Sequence, residues 1–293
     1  MLIKKNKKNY LISVIINCHN GEEYLEKCVQ SVIEQTYKNW EIIFYDNKSN
    51  DSSYEILKRF KDNRIKYYAS KKKLNLYKAR NLAINKCNGS LVTFLDVDDW
   101  WIKTKLDKQV KYFSKNSDLD ILYSNIFLFF QKNKKKKIFI KKITNKNLTQ
   151  KLVNKFEMPI QSVMIKKKFF KKNKFNSKYT IIGDLDFFVR ASKCANIHGL
   201  NEPLVFYREH DQNLTKKKVG LHLRELELWV KNIKKEKEFL NINFDNIYFL
   251  IDILNIKNLI LNKKIFQAIK KIFKKPIRSI KLIFLYLFNF KKL

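Results

Sequence analysis

Glycine and proline are nearly absent from this chain of 293 residues, which has five Gly and three Pro. That scarcity excludes collagen-like repeats and linker-rich chains. Cysteine is sparse as well. Cys18, Cys28, Cys87 and Cys194 show no metal-ligand spacing, and a chain this long needs no disulfide staples, so reduced thiols in a cytoplasmic protein are expected. No apolar run approaches the roughly 20 residues of a spanning helix. The apolar stretch Tyr10–Ile16 behind a Lys-rich start lacks the small-residue cleavage site of a signal peptide. Acids are few, Asp+Glu 27 against Lys+Arg 62, for a net charge of +35. Arginine is scarcer still, 7 of those 62. Readers of bases and phosphates favour its planar two-pronged donor, so a basic nucleic-acid-binding module is the rival reading and no nucleic-acid partner is expected. With 55 Lys and 31 Asn, most of the charge reads as compositional surface.

What is present is core material: 45% of the residues are hydrophobic, enough to exclude a disordered polycation. Four runs rich in β-branched and aromatic residues, Leu11–Ile16, Glu41–Tyr45, Ile65–Tyr68 and Leu91–Leu95, read as buried strands. Helical spacing lies between them: Tyr24, Leu25, Cys28, Val29, Val32 and Ile33; Ile56, Leu57 and Phe60; Leu76, Ala79, Ala83 and Cys87. Asn20 with Glu23, and Ser52 with Glu55, predict capping boxes. This alternation predicts a parallel sheet with helices on both faces. Further strands are expected at 119–130, 138–140, 160–165 and 204–207, with a Lys-rich tip at 132–137 and a helix from Asp184. Beyond 215 the pattern is helical only. The expected organisation is an α/β catalytic domain over residues 1–215 and a helical, basic, amphipathic extension over 216–293.

Polar residues collect where strands end. Asn17–Asn20 follow the first, Asp46–Ser49 the second, and Asp96, Asp98 and Asp99 the fourth. Open α/β sheets bind ligands at these carboxyl ends. Three carboxylates in four residues repel one another and are costly to desolvate. A divalent cation removes the conflict, and Mg²⁺ or Mn²⁺ prefers carboxylate and phosphate oxygens. The bland alternative is Asp99 as a helix cap.

The stretch from Val92 through Asp96-Val97-Asp98-Asp99-Trp100-Trp101 to Lys105, Leu106 and Gln109 resembles family 2 glycosyltransferases of the GT-A fold. The resemblance extends to Ser13-Val-Ile-Ile-Asn-Cys-His-Asn20, to Glu41–Asp46 with Ser49, Asp51 and Ser52, and to Ala79-Arg80-Asn81. Gln161–Ile165, Gly183–Arg190 and Tyr207-Arg208-x-His210 follow in order, so that it covers roughly residues 10–215. It implies a mixed GT-A sheet flanked by helices and metal-dependent, inverting transfer of a sugar from a nucleotide-sugar, a UDP-sugar first among the candidates. The implied acceptor is a cell-surface glycan or a lipid-linked precursor.

Carried over by position, Asp46 would bind the donor base, and Asn17, Cys18 and His19 would line that pocket. Arg80 would lie near the nucleotide or its diphosphate. Asp96 would touch ribose or metal, Asp98 would hold the metal with Asp99 as alternative, and His210 would approach metal or diphosphate. Asp184 would be the general base, with Asp186 as its rival, because Gly183 stands where the family has Glu. Asn17-Cys18-His19-Asn20 also departs from the family's Pro-x-Tyr-Asn. The enzymatic rival is a sugar-nucleotide nucleotidyltransferase, whose Gly-rich phosphate loop is missing after the first strand.

Residues 263–293 carry ten Lys+Arg and no acid. On a helical wheel Ile265, Ile269, Ile272, Phe273 and Ile277 share an apolar face opposite Lys264, Lys270, Lys271, Lys274 and Lys275. Such a helix fits peripheral binding to an anionic membrane, on the inner face of the cell membrane. Packing on the rest of the protein is the alternative.

Overall fold

The four apolar runs form strands. The computed structural model describes residues 9–273. Its elements are β1 (Ile12–Cys18), α1 (Glu22–Ile33), β2 (Trp40–Asp46), α2 (Ser53–Lys58), β3 (Ile65–Ala69), α3 (Leu76–Ile84), β4 (Leu91–Phe94), β5 (Trp100–Trp101), α4 (Lys105–Lys115), β6 (Ile121–Phe130), β7 (Lys135–Ile138), α5 (Leu148–Asn154), β8 (Met164–Lys166), α6 (Gly183–Ala191), β9 (Ile197–Glu209), α7 (Leu214–Lys217), α8 (Val219–Ile233), α9 (Asp245–Leu261) and α10 (Ile265–Phe273). The strand order is β3-β2-β1-β4-β8-β6-β9-β5, with β7 beside β6. The first four strands are parallel. β8 then runs antiparallel to β4 and β6, so the sheet is mixed.

Burial follows the period-two rule for a sheet covered on both sides. Ile12, Val14 and Ile16 of β1, with Ile42 and Phe44 of β2, enter one core with Leu25, Val29 and Val32 of α1 and with Leu106, Val110 and Phe113 of α4. Ile15, Ile43, Val92 and Phe94 are equally buried and lie at the alternate positions. Among the described residues the chain divides into two compact units, one of residues 1–148 and 156–210, the other of 149–155 and 211 onward. In the second, Leu226, Trp229 and Ile233 of α8 are buried, and Trp229 meets Phe244 edge-on at 6.0 Å.

Three local expectations are corrected. Neither capping box forms. Asn20 sits at φ 57, and α1 begins after Gly21. The Asp51 carboxylate accepts from the Glu22 amide (2.9 Å) and from the Ser53 amide (3.1 Å), serving the first turns of α1 and α2 together. Residues 160–165 are not one strand: Ile160–Ser162 is a 3-10 turn after Pro159, and pairing starts at Met164. The carbonyls of Gln161 and Ser162 are taken instead by the Trp101 indole (3.1 Å) and the Gln109 amide (2.9 Å). The strand expected at 204–207 is the end of the much longer β9. Its polar first half has no apolar signature and is held by pairing with β6 across an irregularity at Asn125. The Asn125 side chain fills that gap, donating to the Ile140 carbonyl (2.6 Å) and accepting from the Ile126 amide (2.9 Å).

At the amino-terminal end of the sheet, buried Glu41 accepts from Ser13 Oγ (2.6 Å), Lys66 Nζ (2.7 Å) and the Asn88 amide (2.6 Å). The Asn88 turn needs Gly89, because a Cβ there would lie 2.6 Å from the Leu11 carbonyl oxygen. Burial pushes the Glu41 carboxyl up, but the bonds from Lys66, Ser13 and Asn88 outweigh it and hold the pKa at about 2. A depressed pKa contributes stability above the unfolded value, near 4.5, that is lost as pH falls toward 2. Denaturant midpoints of Glu41→Gln should therefore be lower than those of the parent at pH 7. The difference should shrink steadily from pH 4.5 to 2. A pH-independent difference would contradict this role.

Candidate active site

The ends of β1, β2 and β4 bring the three polar groups together. Cys18 and Asp46 are register partners on β1 and β2, and the Leu95 amide bonds the Ile15 carbonyl (2.9 Å), which sets Asp96 beside them. Asp46 is buried. One oxygen accepts from the Ser49 amide (2.7 Å), the other from the Tyr67 hydroxyl (2.8 Å). Tyr67, from β3, had no motif to mark it. Cys18 is buried against Ser53, and burial pushes its thiol up to about 11, which leaves it unreactive. His19 accepts at Nε2 from Lys73 Nζ (2.6 Å), which leaves the Nδ1 proton for the Lys48 carbonyl (3.1 Å). Asn17 buries its amide nitrogen without a hydrogen-bond partner among the described residues. An orphaned donor at a strand end marks a place for an acceptor.

Arg80, on α3, organises the centre. It is fully buried, and its guanidinium donates through Nη1 to Asp184 (2.7 Å) and through Nη2 to Asp96 (2.8 Å). Arg80, expected near the nucleotide or its diphosphate, thus bridges two carboxylates. Tyr77, one turn earlier on the helix, completes the mount: its hydroxyl donates to the Ile181 carbonyl (3.0 Å) and accepts from the Asp184 amide (3.2 Å). That ring also accounts for Gly183, where any Cβ would lie 2.4 Å from Tyr77 Cε2. The glutamate the family carries has no room here.

Asp184 lies in the first turn of α6, its side chain 19% exposed. Burial pushes its pKa up, Arg80 pulls it down and Asp96 pushes it up, leaving it at about 6. The carboxylate is therefore ionised at neutral pH yet basic enough to take a proton. Asp186 is placed differently. It is buried, with an oxygen 2.8 Å from Arg190 Nε one turn on in the same helix, outside the Arg80 bridge.

The four residues expected around a metal do not converge. Asp96 turns to Arg80, and burial raises its pKa despite that partner. Asp99 is buried. One oxygen accepts from the Arg208 amide (2.7 Å) and the other has no partner among the described residues. Burial first, then Asp98 and Asp96, raise its pKa well above the usual range. Asp99, the expected alternative ligand, is thus held inward by the Arg208 amide. Asp98 and His210 remain together, with Oδ2 and Nε2 3.0 Å apart. No group of three or more His, Cys, Asp or Glu side chains suited to a metal occurs among the described residues. The Asp98 carboxylate fits Mg²⁺ or Mn²⁺ when phosphate oxygens of a substrate supply other ligands, and the His210 imidazole suits Mn²⁺ better than the harder Mg²⁺.

The two tryptophans divide. Trp101 is buried, and Trp100 is partly exposed, stacked on Phe206 at 4.8 Å with Lys27 over its face at 3.6 Å. Lys105 and Gln109 lie inside the core. Lys105 Nζ bonds Thr93 (3.1 Å) and Gln109 (2.8 Å), and burial lowers its pKa well below the usual value. That block braces β4 beneath Asp96 and offers nothing to a substrate.

The sequence profile described as glycosyl transferase family 2 matches residues 13–180, more than half of the chain. The chain is 32% identical over 185 residues to an uncharacterized glycosyltransferase of Methanocaldococcus jannaschii, covering 61% of this chain and 64% of that protein. It is 35% identical over 117 residues to the UDP-Glc:alpha-D-GlcNAc-diphosphoundecaprenol beta-1,3-glucosyltransferase of Escherichia coli, 40% of this chain and 46% of the relative. These matches thus span less than two thirds of either relative. Among solved structures, the mannosyltransferase of Pyrobaculum calidifontis in complex with GDP-Man and Mn²⁺ superposes with a TM-score of 0.61 at 13% identity, covering 96% of this chain and 81% of that one. TarS of S. aureus in complex with UDP-GlcNAc gives 0.60 at 16% identity, covering 85% and 71%. At these identities the two structures speak for the fold alone.

Proposed function

Because the chain belongs to glycosyl transferase family 2, we propose that it moves a sugar, with inversion, from a nucleoside-diphosphate donor to a hydroxyl of a cell-envelope glycan or its lipid-linked precursor. The observation that carries the reading is the Arg80 bridge. It presents an ionised Asp184 carboxylate beside the strand ends where a donor would lie. Asp46 and Tyr67, with the orphaned Asn17 amide and the His19 turn, form the base pocket. A UDP-sugar is the proposed donor, in keeping with the donors named for the Escherichia coli relative and the TarS complex. The lipid-linked acceptor follows the same relative's name.

In the proposed reaction Asp184 accepts the proton of the acceptor hydroxyl as its oxygen attacks the anomeric carbon. The bond from that carbon to the diphosphate breaks on the opposite side, and the diphosphate leaves with the bonding pair. Arg80 does not touch the donor in this scheme. It orients Asp184 and keeps it charged. Asp98 and His210 would hold a divalent cation, Mg²⁺ or Mn²⁺, which supplies charge stabilisation for the leaving diphosphate. A divalent ion is in keeping with the Mn²⁺ named for the mannosyltransferase complex, which shares the fold. One base suffices for direct displacement, so the buried thiols have no part in it.

Asp184→Asn should lower transfer by about 10²–10⁴-fold while donor binding persists, and Asp186→Asn should leave the rate within a few-fold of the parent. In the parent, kcat/KM should rise with pH through about 6, as Asp184 loses its proton. Loss of transfer in Asp186→Asn alone would make Asp186 the base.

For the membrane, the proposal narrows to α10. No helix among the described residues is long and apolar enough to cross a membrane. α10 packs Ala268 and Ile272 on Ile253 and Ile256 of α9. It leaves Phe266 90%, Phe273 74% and Ile269 45% exposed, beside Lys270 and Lys271. Residues 274–293, which carry the rest of the expected amphipathic face, lie outside the described residues. We take the exposed stripe as a peripheral contact with anionic lipid on the inner face of the membrane. Replacing Phe266, Ile269 and Phe273 with Ser should weaken flotation with phosphatidylglycerol vesicles at least ten-fold. Undiminished flotation would exclude α10 as the contact.

A further inference from the structure

A second concave site lies at the opposite end of β4 from Asp96. It is a cleft of about 800 Å³, bounded by Tyr10 before β1, Ser90 and Leu91 at the start of β4, Ser117 after α4, and the segment from Lys166 to Lys174. Lys166, Lys167, Lys168, Lys171 and Lys174 line it, and no carboxylate does among the described residues. Beneath them Ile84, Leu91 and Phe170 are buried, so the surface on offer is that of the lysine side chains.

The lysines are displayed on a rigid base. Residues 167–171 form a 3-10 helix, in which side chains three apart eclipse one another. Lys168 and Lys171 therefore project as a row, and both are exposed, as is Lys174. Phe170 between them is buried, stacked on Phe187 at 5.8 Å and edge-on to Phe94 at 6.1 Å. Lys166 and Lys167 bend back to donate to the carbonyls of Ser117 and Cys87. The side chains presented to an incoming anion are those of the exposed Lys168, Lys171 and Lys174.

We propose that this cleft binds the phosphate headgroup of anionic lipid, as a membrane contact separate from α10. An open row of lysines with no carboxylate beside it among the described residues suits a flat anionic surface, where each lysine adds to the attraction. A nucleic acid would be read by arginine and open aromatic faces, and no arginine lines the cleft among the described residues. The proposal does not depend on the transferase reading. It assigns a surface role to a block of lysines that the composition alone would leave as unspecific charge.

The test compares two charge-matched variants of the full chain. One carries Lys168→Glu, Lys171→Glu and Lys174→Glu. The other carries Lys132→Glu, Lys134→Glu and Lys135→Glu at the β6–β7 tip. Binding is measured by co-sedimentation with phosphatidylcholine vesicles containing phosphatidylglycerol, at two salt concentrations, with circular dichroism as the folding control. Each lysine near an anionic surface is worth about five-fold in affinity. The cleft variant should thus bind on the order of a hundred-fold more weakly than the parent, the tip variant within a few-fold of it, and the gap should narrow at high salt. Donor hydrolysis should be unchanged in the cleft variant. Equal losses in both variants, or no loss in the cleft variant, would overturn the proposal. Tighter binding of the parent to soluble polyphosphate than to the vesicles, abolished in the cleft variant, would also overturn the lipid assignment.

Discussion

A buried guanidinium between two carboxylates is the constraint on which the site depends. Arg80 is taken out of water at α3, and its ion pairs among the described residues are with Asp96, from the end of β4, and Asp184, from the first turn of α6. Its charge cannot be neutralised by losing a proton, so both acids must be in place for the fold to bury it. The converse also holds. Truncating Arg80 leaves two carboxylates without a counter-charge, a loss on the order of 3–5 kcal/mol for a fully buried pair and less here, because Asp96 is 35% exposed. One side chain thus couples the strand that ends in the Asp96 turn to the helix that carries Asp184.

The bridge also divides the acids among different tasks. Asp96 and Asp184 face Arg80, Asp98 faces His210, and Asp99 turns inward to the Arg208 amide. Three carboxylates in four residues repel one another when they share a site. Here they point to different partners. Asp184 is left as the group with a pKa at about 6, a value suited to taking a proton near neutral pH. The Tyr77 ring against Gly183 keeps that carboxylate in register without the glutamate usual in the family.

Much of this was legible in the sequence. β-branched runs fixed by burial on both faces read as strands. The acids at their ends read as a site, because carboxylates in so basic a chain are few and these sit together. Other features were not legible, for physical reasons. The partner of Arg80 is settled by tertiary contact: Asp184 lies 104 positions away, and no spacing rule covers such a pair. Tyr67 carries no motif, and its bond to Asp46 depends on β3 pairing with β2. The caps failed because Asp51, rather than a residue of either helix, satisfies both first turns. The first half of β9 carries no apolar signal because ladder pairing holds it in place of apolar burial. The lysines look like background in the sequence, and only the fold gathers five of them into one cleft.

The central claim is that Arg80 holds Asp184 in its ionised, proton-accepting state. Carbon-13 NMR titration of the Asp184 carboxyl, in the parent and in Arg80→Gln, tests it without relying on activity. The parent carboxyl should titrate at about 6, and removal of the guanidinium should move it upward by a unit or more, because the group that favours its charged form is gone. A carboxyl that titrates near 4 in both proteins, indifferent to Arg80, would contradict the account.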